Sequence, residues 1–185
     1  MLFESLSLPG LTLITTKRYE DNRGFFCESF RADQFEAQIG TWRFVQDNHS
    51  KSEKRGTLRG MHFQRRPREQ GKLVRVVRGA VLDVAADVRR GSPTYGKHVT
   101  VELNDANDRQ LWIPPGFLHG FCTLSDETEV IYKVTDYYSP AHDACVAWND
   151  PDLAIDWPVS PREAILSDRD AQAARLRDTE LEFTF

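Results

Sequence analysis

Three stretches of this 185-residue sequence hold side chains with more chemistry than a scaffold needs. They are Leu58-Arg59-Gly60-Met61-His62-Phe63-Gln64, Trp112-Ile113-Pro114-Pro115-Gly116-Phe117-Leu118-His119-Gly120-Phe121, and Ile131-Tyr132-Lys133. An unperturbed imidazole has a pKa near ~6.5, which suits proton abstraction at neutral pH and makes His62 a candidate base. A phenol such as that of Tyr132, with a reference pKa of ~10, is protonated at rest and can donate. Each has a plainer alternative. A lone histidine in a strand is more often a satisfied core residue, a tyrosine between valines usually packs, and a histidine after Pro-Pro-Gly can simply follow a turn.

Charge and composition narrow the field. The net charge is −4, yet between Lys51 and Arg90 there are 12 Lys/Arg against 4 Asp/Glu. A basic block inside an acidic chain fits a compact anionic ligand better than a nucleic acid, whose binders are more often basic throughout. For any single arginine in the block, a solvated face is the ordinary alternative. The three cysteines, Cys27, Cys122 and Cys145, form no C-x-x-C pair, which argues against a disulfide framework or a zinc site and for reduced thiols. No run approaches the ~20 apolar residues of a membrane helix. The N-terminal MLFESLSLPG carries an acid and no basic region, unlike a secretory signal. A cytoplasmic protein that binds neither membrane nor nucleic acid is expected.

The elements that must position these residues are mostly strands, with no repeat, linker or low-complexity tract between them. Gly24–Phe30, His98–Leu103, Gln110–Ile113, Gly120–Leu124 and Glu129–Thr135 are short strand signals. Leu73–Val77 and Ala80–Val88 are predicted to pair as a hairpin turning at Gly79. Spacings of roughly 8–12 residues suggest a sandwich or barrel. Val130, Tyr132 and Val134 share one strand face, and Lys72 shares another with Val74 and Val76, so Lys72 is predicted to point inward. Helix signals are confined to Ala32–Ile39 and to Ser167-Asp168-Arg169-Asp170, where Ser167 can cap and acids fill the first turn. One domain over 1–185 is expected, with a barrel core at about 20–150 and a helical segment at about 160–180.

The spacing P-x-G-x-x-H from Pro114 to His119 resembles the second motif of the cupin superfamily. Metal-binding cupins carry H-x-H in the first motif. Here the run is His62-Phe63-Gln64 with no acid four residues on, so His62 and His119 fall short of a zinc or iron ligand set. More specific blocks are Asp21-Asn22-Arg23-Gly24-Phe25-Phe26 followed by Glu28, Gln46-Asp47-Asn48-His49-Ser50, R-G-M-H-F-Q, Gln70-Gly71-Lys72-Leu73-Val74, Asp83-Val84, Gly91-Ser92-Pro93-Thr94, P-P-G-F-L-H-G-F and Trp148-Asn149-Asp150-Pro151. Together, over most of the chain to about Asp170, they resemble the dTDP-4-dehydrorhamnose 3,5-epimerase family.

That resemblance implies a mainly β, cupin-type jelly-roll barrel with a few short helices and a C-terminal helix, working without metal or redox cofactor. The implied substrate is dTDP-4-dehydro-6-deoxy-D-glucose, whose C4 ketone acidifies the protons on C3 and C5. Inversion then needs a base, an acid on the opposite side, and a cation or donor at the enolate oxygen. By resemblance His62 is the base, oriented by Asp170. Tyr132 is the acid, Lys72 stabilises the enolate, and His119 helps hold the substrate. Arg23 and Arg59 bind the diphosphate, which a guanidinium fork fits well. Glu28, Gln46, Asn48, Asp143 and Arg169 contact the substrate, with Asp143 and Arg169 standing where the family more often has glutamate and lysine. A homodimer sharing N-terminal strands is implied too. Strict alternation sets Arg59 and His62 on opposite strand faces, so both reach one cavity only if Gly60 permits a bulge or Arg59 reaches around an edge. Rival readings are a mono-epimerase or ketoisomerase of the same fold, a metal-dependent dioxygenase-type cupin, and a non-catalytic sugar- or nucleotide-binding cupin.

Overall fold

The computed structural model describes residues 1–185. In chain order the strands begin with β1 (Leu2–Ser5), β2 (Thr12–Thr15), β3 (Arg18–Asp21) and β4 (Gly24–Cys27), followed by helix α1 (Ala32–Ile39). Then come β5 (Gln46–Ser52), β6 (Leu58–Gln64), β7 (Lys72–Arg78), β8 (Ala80–Asp87) and β9 (His98–Asn104). The last are β10 (Arg109–Ile113), β11 (Phe117–Thr123), β12 (Thr128–Val134) and β13 (Asp143–Cys145), before the single-turn helix α2 (Asp168–Ala171) and a 3-10 turn at Leu176–Asp178. Two antiparallel sheets face each other, in the orders β1-β2-β10-β7-β12-β5 and β13-β6-β11-β8-β9, while β3 and β4 pair only with each other. No helix is long and apolar enough to cross a membrane.

Alternation explains how each sheet finds its faces. Val74, Val76, Leu111, Ile113 and Val130 meet Val81, Ala85, Leu103, Phe117 and Phe121 between the sheets. The opposite face of the five-stranded sheet, with Leu58, Met61, Phe63, Val84 and Leu118, is covered by Trp148, Trp157, Leu176 and Phe183 of the C-terminal segment. On the outside of the six-stranded sheet, Phe35 of α1 seats edge-on against Trp112, with ring centroids 5.1 Å apart. Each layer thus buries apolar surface worth about 25 cal/mol per Å².

The structure corrects several local expectations. β7 and β8 are not a hairpin. β7 pairs with β10 and β12, and β8 with β9 and β11, in opposite sheets. Gly79, at φ 76°, carries the chain across from one sheet to the other. Two alternating runs joined by a glycine present the same pattern whether they pair side by side or face to face. The large sheet also starts at Leu2, well before residue 20, and the β4 strand stops at Cys27. The C-terminal helix is present as the four residues of α2, and much of the rest of that segment is irregular chain tied by isolated bridges such as Val146–Ala174.

Candidate active site

At one end of the sandwich the sheets splay around a cavity of about 220 Å³. Gln46, Asn48, Lys72 and Tyr132 enter it from the six-stranded sheet, and His62, Gln64 and Asp143 from the five-stranded one. Arg169 and Tyr138 complete its rim. The imidazole and the phenol singled out from sequence therefore approach one space from opposing walls.

His62 Nε2 lies 2.6 Å from Asp170 Oδ1. Burial alone would raise the Asp170 carboxyl. The hydrogen bond and charge of His62, the Gly60 N–H and the Ser167 hydroxyl outweigh it and hold the pKa below the usual carboxylate range. An ionised Asp170 only accepts, so Nε2 is the donor, which leaves Nδ1 as the nitrogen that carries the lone pair in the neutral form of the ring. Ser167 Oγ meanwhile accepts the Asp170 backbone N–H at 3.2 Å, so one residue is both the capped start of α2 and the partner of His62.

Lys72 points inward beside Val74 and Val76, all three buried, as its position on the strand predicts. Burial pushes its ammonium from 10.5 down to about 8, against the pull of Asp143 and Asp83. Tyr132 is pushed above the ordinary phenol value, mainly by burial, so it stays protonated at neutral pH. His119 sits opposite His62 in the β6–β11 register and is buried outside the cavity lining. Burial lowers its pKa despite Asp83, so the neutral ring donates Nε2–H to Asp83 Oδ1 at 2.8 Å. Asp143 pairs with Arg169 at 2.6 Å.

A bulge resolves the conflict between Arg59 and His62. The register runs His119↔His62 and then Phe121↔Arg59, so Gly60 and Met61 together oppose Gly120. Leu58 and Met61 then fall on the outer face, and Arg59 joins His62 on the inner one. Gly60 has φ 147°, and a Cβ there would lie 2.5 Å from Gly120 Cα, a separation open only to glycine. Arg59 itself reaches the sheet edge, donating to Ser52 Oγ and Lys51 O, and is not part of the cavity lining.

Two expected site residues are elsewhere in the chain's own fold. Arg23 stands on the β3–β4 turn, 84% exposed and paired with Asp21. Glu28 faces Arg31 at 3.8 Å. Neither lines the cavity. Sequence reasoning misses Tyr138 altogether; Gln64, Gln70 and Asp83 stand within the blocks that carry the family resemblance, but it gives them no role in the site. No three His, Cys, Asp or Glu side chains converge closely enough to hold a metal ion. Gln64, at the position where metal-binding cupins carry a ligand, spends both ends of its amide on backbone groups. A second groove, of about 260 Å³, opens on the outer face of the six-stranded sheet beside Leu73, Arg75, Ile131 and Lys133.

Comparison with known proteins gives a consistent picture. The family model described as dTDP-4-dehydrorhamnose 3,5-epimerase matches residues 5–178. A Shigella flexneri dTDP-4-dehydrorhamnose 3,5-epimerase is 49% identical over 94% of each chain. A Legionella pneumophila dTDP-6-deoxy-D-glucose-3,5-epimerase, solved in complex with dTDP-4-keto-L-rhamnose, superposes with a TM-score of 0.92 at 47% identity, covering 97% of this chain and 94% of that one. A 3'-monoepimerase from Streptomyces bikiniensis, in complex with dTDP-quinovose, is also similar, with a TM-score of 0.87 at 36% identity over 93% of this chain and 86% of that one.

Proposed function

The chain belongs to the dTDP-4-dehydrorhamnose 3,5-epimerase family, and from that membership and the cavity we propose a stepwise inversion of C3 and C5 in dTDP-4-dehydro-6-deoxy-D-glucose. The product is dTDP-4-dehydrorhamnose, on the route to dTDP-L-rhamnose. One observation carries the assignment of roles: His62, backed by Asp170, and Tyr132 project from opposing sheets into the same cavity.

His62 Nδ1 takes the proton from the carbon beside the ketone, and the imidazolium that forms is stabilised by the Asp170 carboxylate. The electron pair moves onto the C4 oxygen. Lys72, protonated below about pH 8, supplies the charge that the oxyanion needs. Tyr132 then delivers its proton to the opposite face of the same carbon, and solvent restores both groups. His119, held neutral behind His62, fixes the oxyanion end of the pocket.

The cavity is smaller than the ~300–1,000 Å³ usual for a small-molecule site. It therefore holds the sugar, while the nucleotide runs over the rim past Gln46, Asn48, Asp143 and Arg169. A homodimer explains the rest. The β3–β4 ribbon exposes Tyr19, Phe25 and Phe26 and pairs with no other strand, an arrangement that is marginal in isolation. Laid against a second copy, it would bring Arg23 and Glu28 to that copy's cavity, and Arg59 would meet the diphosphate at the sheet edge. Three free cysteines fit a cytoplasmic protein.

The test is NMR of the reaction in deuterated water. Deuterium entering at both C3 and C5 is expected. Uptake at a single carbon would identify a mono-epimerase, as the likeness to the Streptomyces bikiniensis enzyme makes a live alternative, and no uptake would remove the proposed activity.

A further inference from the structure

Three glutamines lie at the cavity, Gln46, Gln64 and Gln70, and the last two have no part in the mechanism. All three aim side-chain amides at the backbone of one short irregular segment, Asp136 to Ser139. Gln64, buried, accepts the Ser139 N–H at 2.7 Å and donates to Tyr137 O at 3.2 Å and to Arg68 O at 2.6 Å. Gln70 donates to Asp136 O at 2.7 Å, and Gln46 accepts the Tyr138 N–H at 3.0 Å. Arg68 adds an ion pair to Asp136 at 3.1 Å.

The segment lies beyond the end of β12 and has no strand ladder of its own. Side chains therefore replace the sheet in satisfying its backbone groups, which is costly to arrange unless the segment must stay in place. What it carries is Tyr138, whose ring is more than half exposed at the cavity rim and whose hydroxyl donates to Asp143 Oδ2 at 3.0 Å. Asp143 is in turn paired with Arg169.

We infer that Gln64 and Gln70 are positioning residues that clamp the Asp136–Ser139 segment, fixing Tyr138 as a rigid wall against which the nucleotide-sugar binds. In this chain Gln64 does the work of a clamp at the position where a related barrel would place a metal ligand. The inference rests on the epimerase reading, because it takes Tyr138 to touch the ligand of that site. The clamp acts on binding. His62 and Asp170 are held by their own hydrogen bond, and Lys72 by its buried place on β7 beside Val74 and Val76, so the proton-transfer machinery is left in place.

The experiment is a double-mutant cycle on the full-length chain, read by steady-state kinetics with dTDP-4-dehydro-6-deoxy-D-glucose and by calorimetry with dTDP. Gln64→Met keeps the side-chain volume and removes all three hydrogen bonds. It is expected to raise KM and the dTDP Kd about tenfold while kcat stays within about twofold and its pH profile is unchanged. Gln70→Met, at a less buried site, should move the same two constants about threefold. Tyr138→Ala should raise both constants, and adding Gln64→Met to it should raise them no further. Additive effects of the two substitutions, a fall in kcat at constant KM, or an unchanged KM in Tyr138→Ala would each overturn the clamp. If Gln64→Met does not fold, the Gln70→Met and Tyr138→Ala pair completes the cycle and decides in the same way. If the wild-type chain shows no turnover, the epimerase reading fails, and the dTDP calorimetry still tests the clamp separately.

Discussion

Replacing Lys72 with methionine separates what the site needs for chemistry from what the fold would prefer. The ammonium is buried, and burial lowers its pKa from 10.5 to about 8. At ~1.4 kcal/mol per pKa unit, keeping it charged inside the protein costs about 3 kcal/mol at neutral pH. Methionine retains the apolar stem and drops the charge, so Lys72→Met should be more stable by up to that amount, or roughly 6–12 °C in Tm for a domain of this size. The sign of the pH dependence follows from the direction of the shift. Between about pH 8 and 10.5 the unfolded lysine still binds a proton that the folded one has lost, so wild-type stability rises with pH across that window. The advantage of the variant should be full below pH 8 and vanish above about 10.5. Turnover should move the other way. Loss of the oxyanion partner should cost about 10²–10³ in kcat, and wild-type kcat/KM should decline above about pH 8 as the ammonium deprotonates. Denaturant melts of both proteins from pH 7 to 10.5, beside deuterium-exchange rates, check both halves. Equal stability at pH 7, a gap that does not close with pH, or exchange at the wild-type rate would refute the reasoning.

Asp170→Asn removes a charge-assisted hydrogen bond worth about 1.5–3 kcal/mol to the developing imidazolium, so exchange should slow by roughly 10–100-fold, and a change under threefold would dismiss Asp170 as the orienting partner. Gly60→Ala sets a Cβ 2.5 Å from Gly120 Cα in a backbone conformation that L-residues rarely adopt; a loss of about 3 kcal/mol or more in chemical denaturation is expected, and a neutral result would mean the bulge relaxes freely. Phe26→Glu charges the exposed β3–β4 ribbon, and light scattering should report a monomer whose exchange activity is largely lost; an active monomer would rule out a shared site.

How far the sequence alone reaches is clearest strand by strand. Alternation around Tyr132 and Lys72 determined which way both side chains point, because a strand's period of two depends on nothing beyond the strand. Helix α1 was legible for the same reason, and so was the start of α2 at Ser167, a local capping signal. Alternation also exposed the conflict between Arg59 and His62 and named Gly60 as its remedy. Only the tertiary structure could decide that the extra residue is accommodated there, since a bulge is defined against the partner strand β11. The pairing of β7 and β8 was likewise undecidable locally, as facing sheets and neighbouring strands share one pattern. Arg23 and Glu28 match the family's motif, yet they stand on or beside a β3–β4 ribbon that pairs with no other strand, and neither lines the cavity. The glutamine clamp and the lowered pKa of Lys72 depend on amides and charges brought together from distant parts of the chain. Residue type and local period belong to the sequence; burial, register and convergence belong to the fold, because each is a relation between segments that only packing brings into contact.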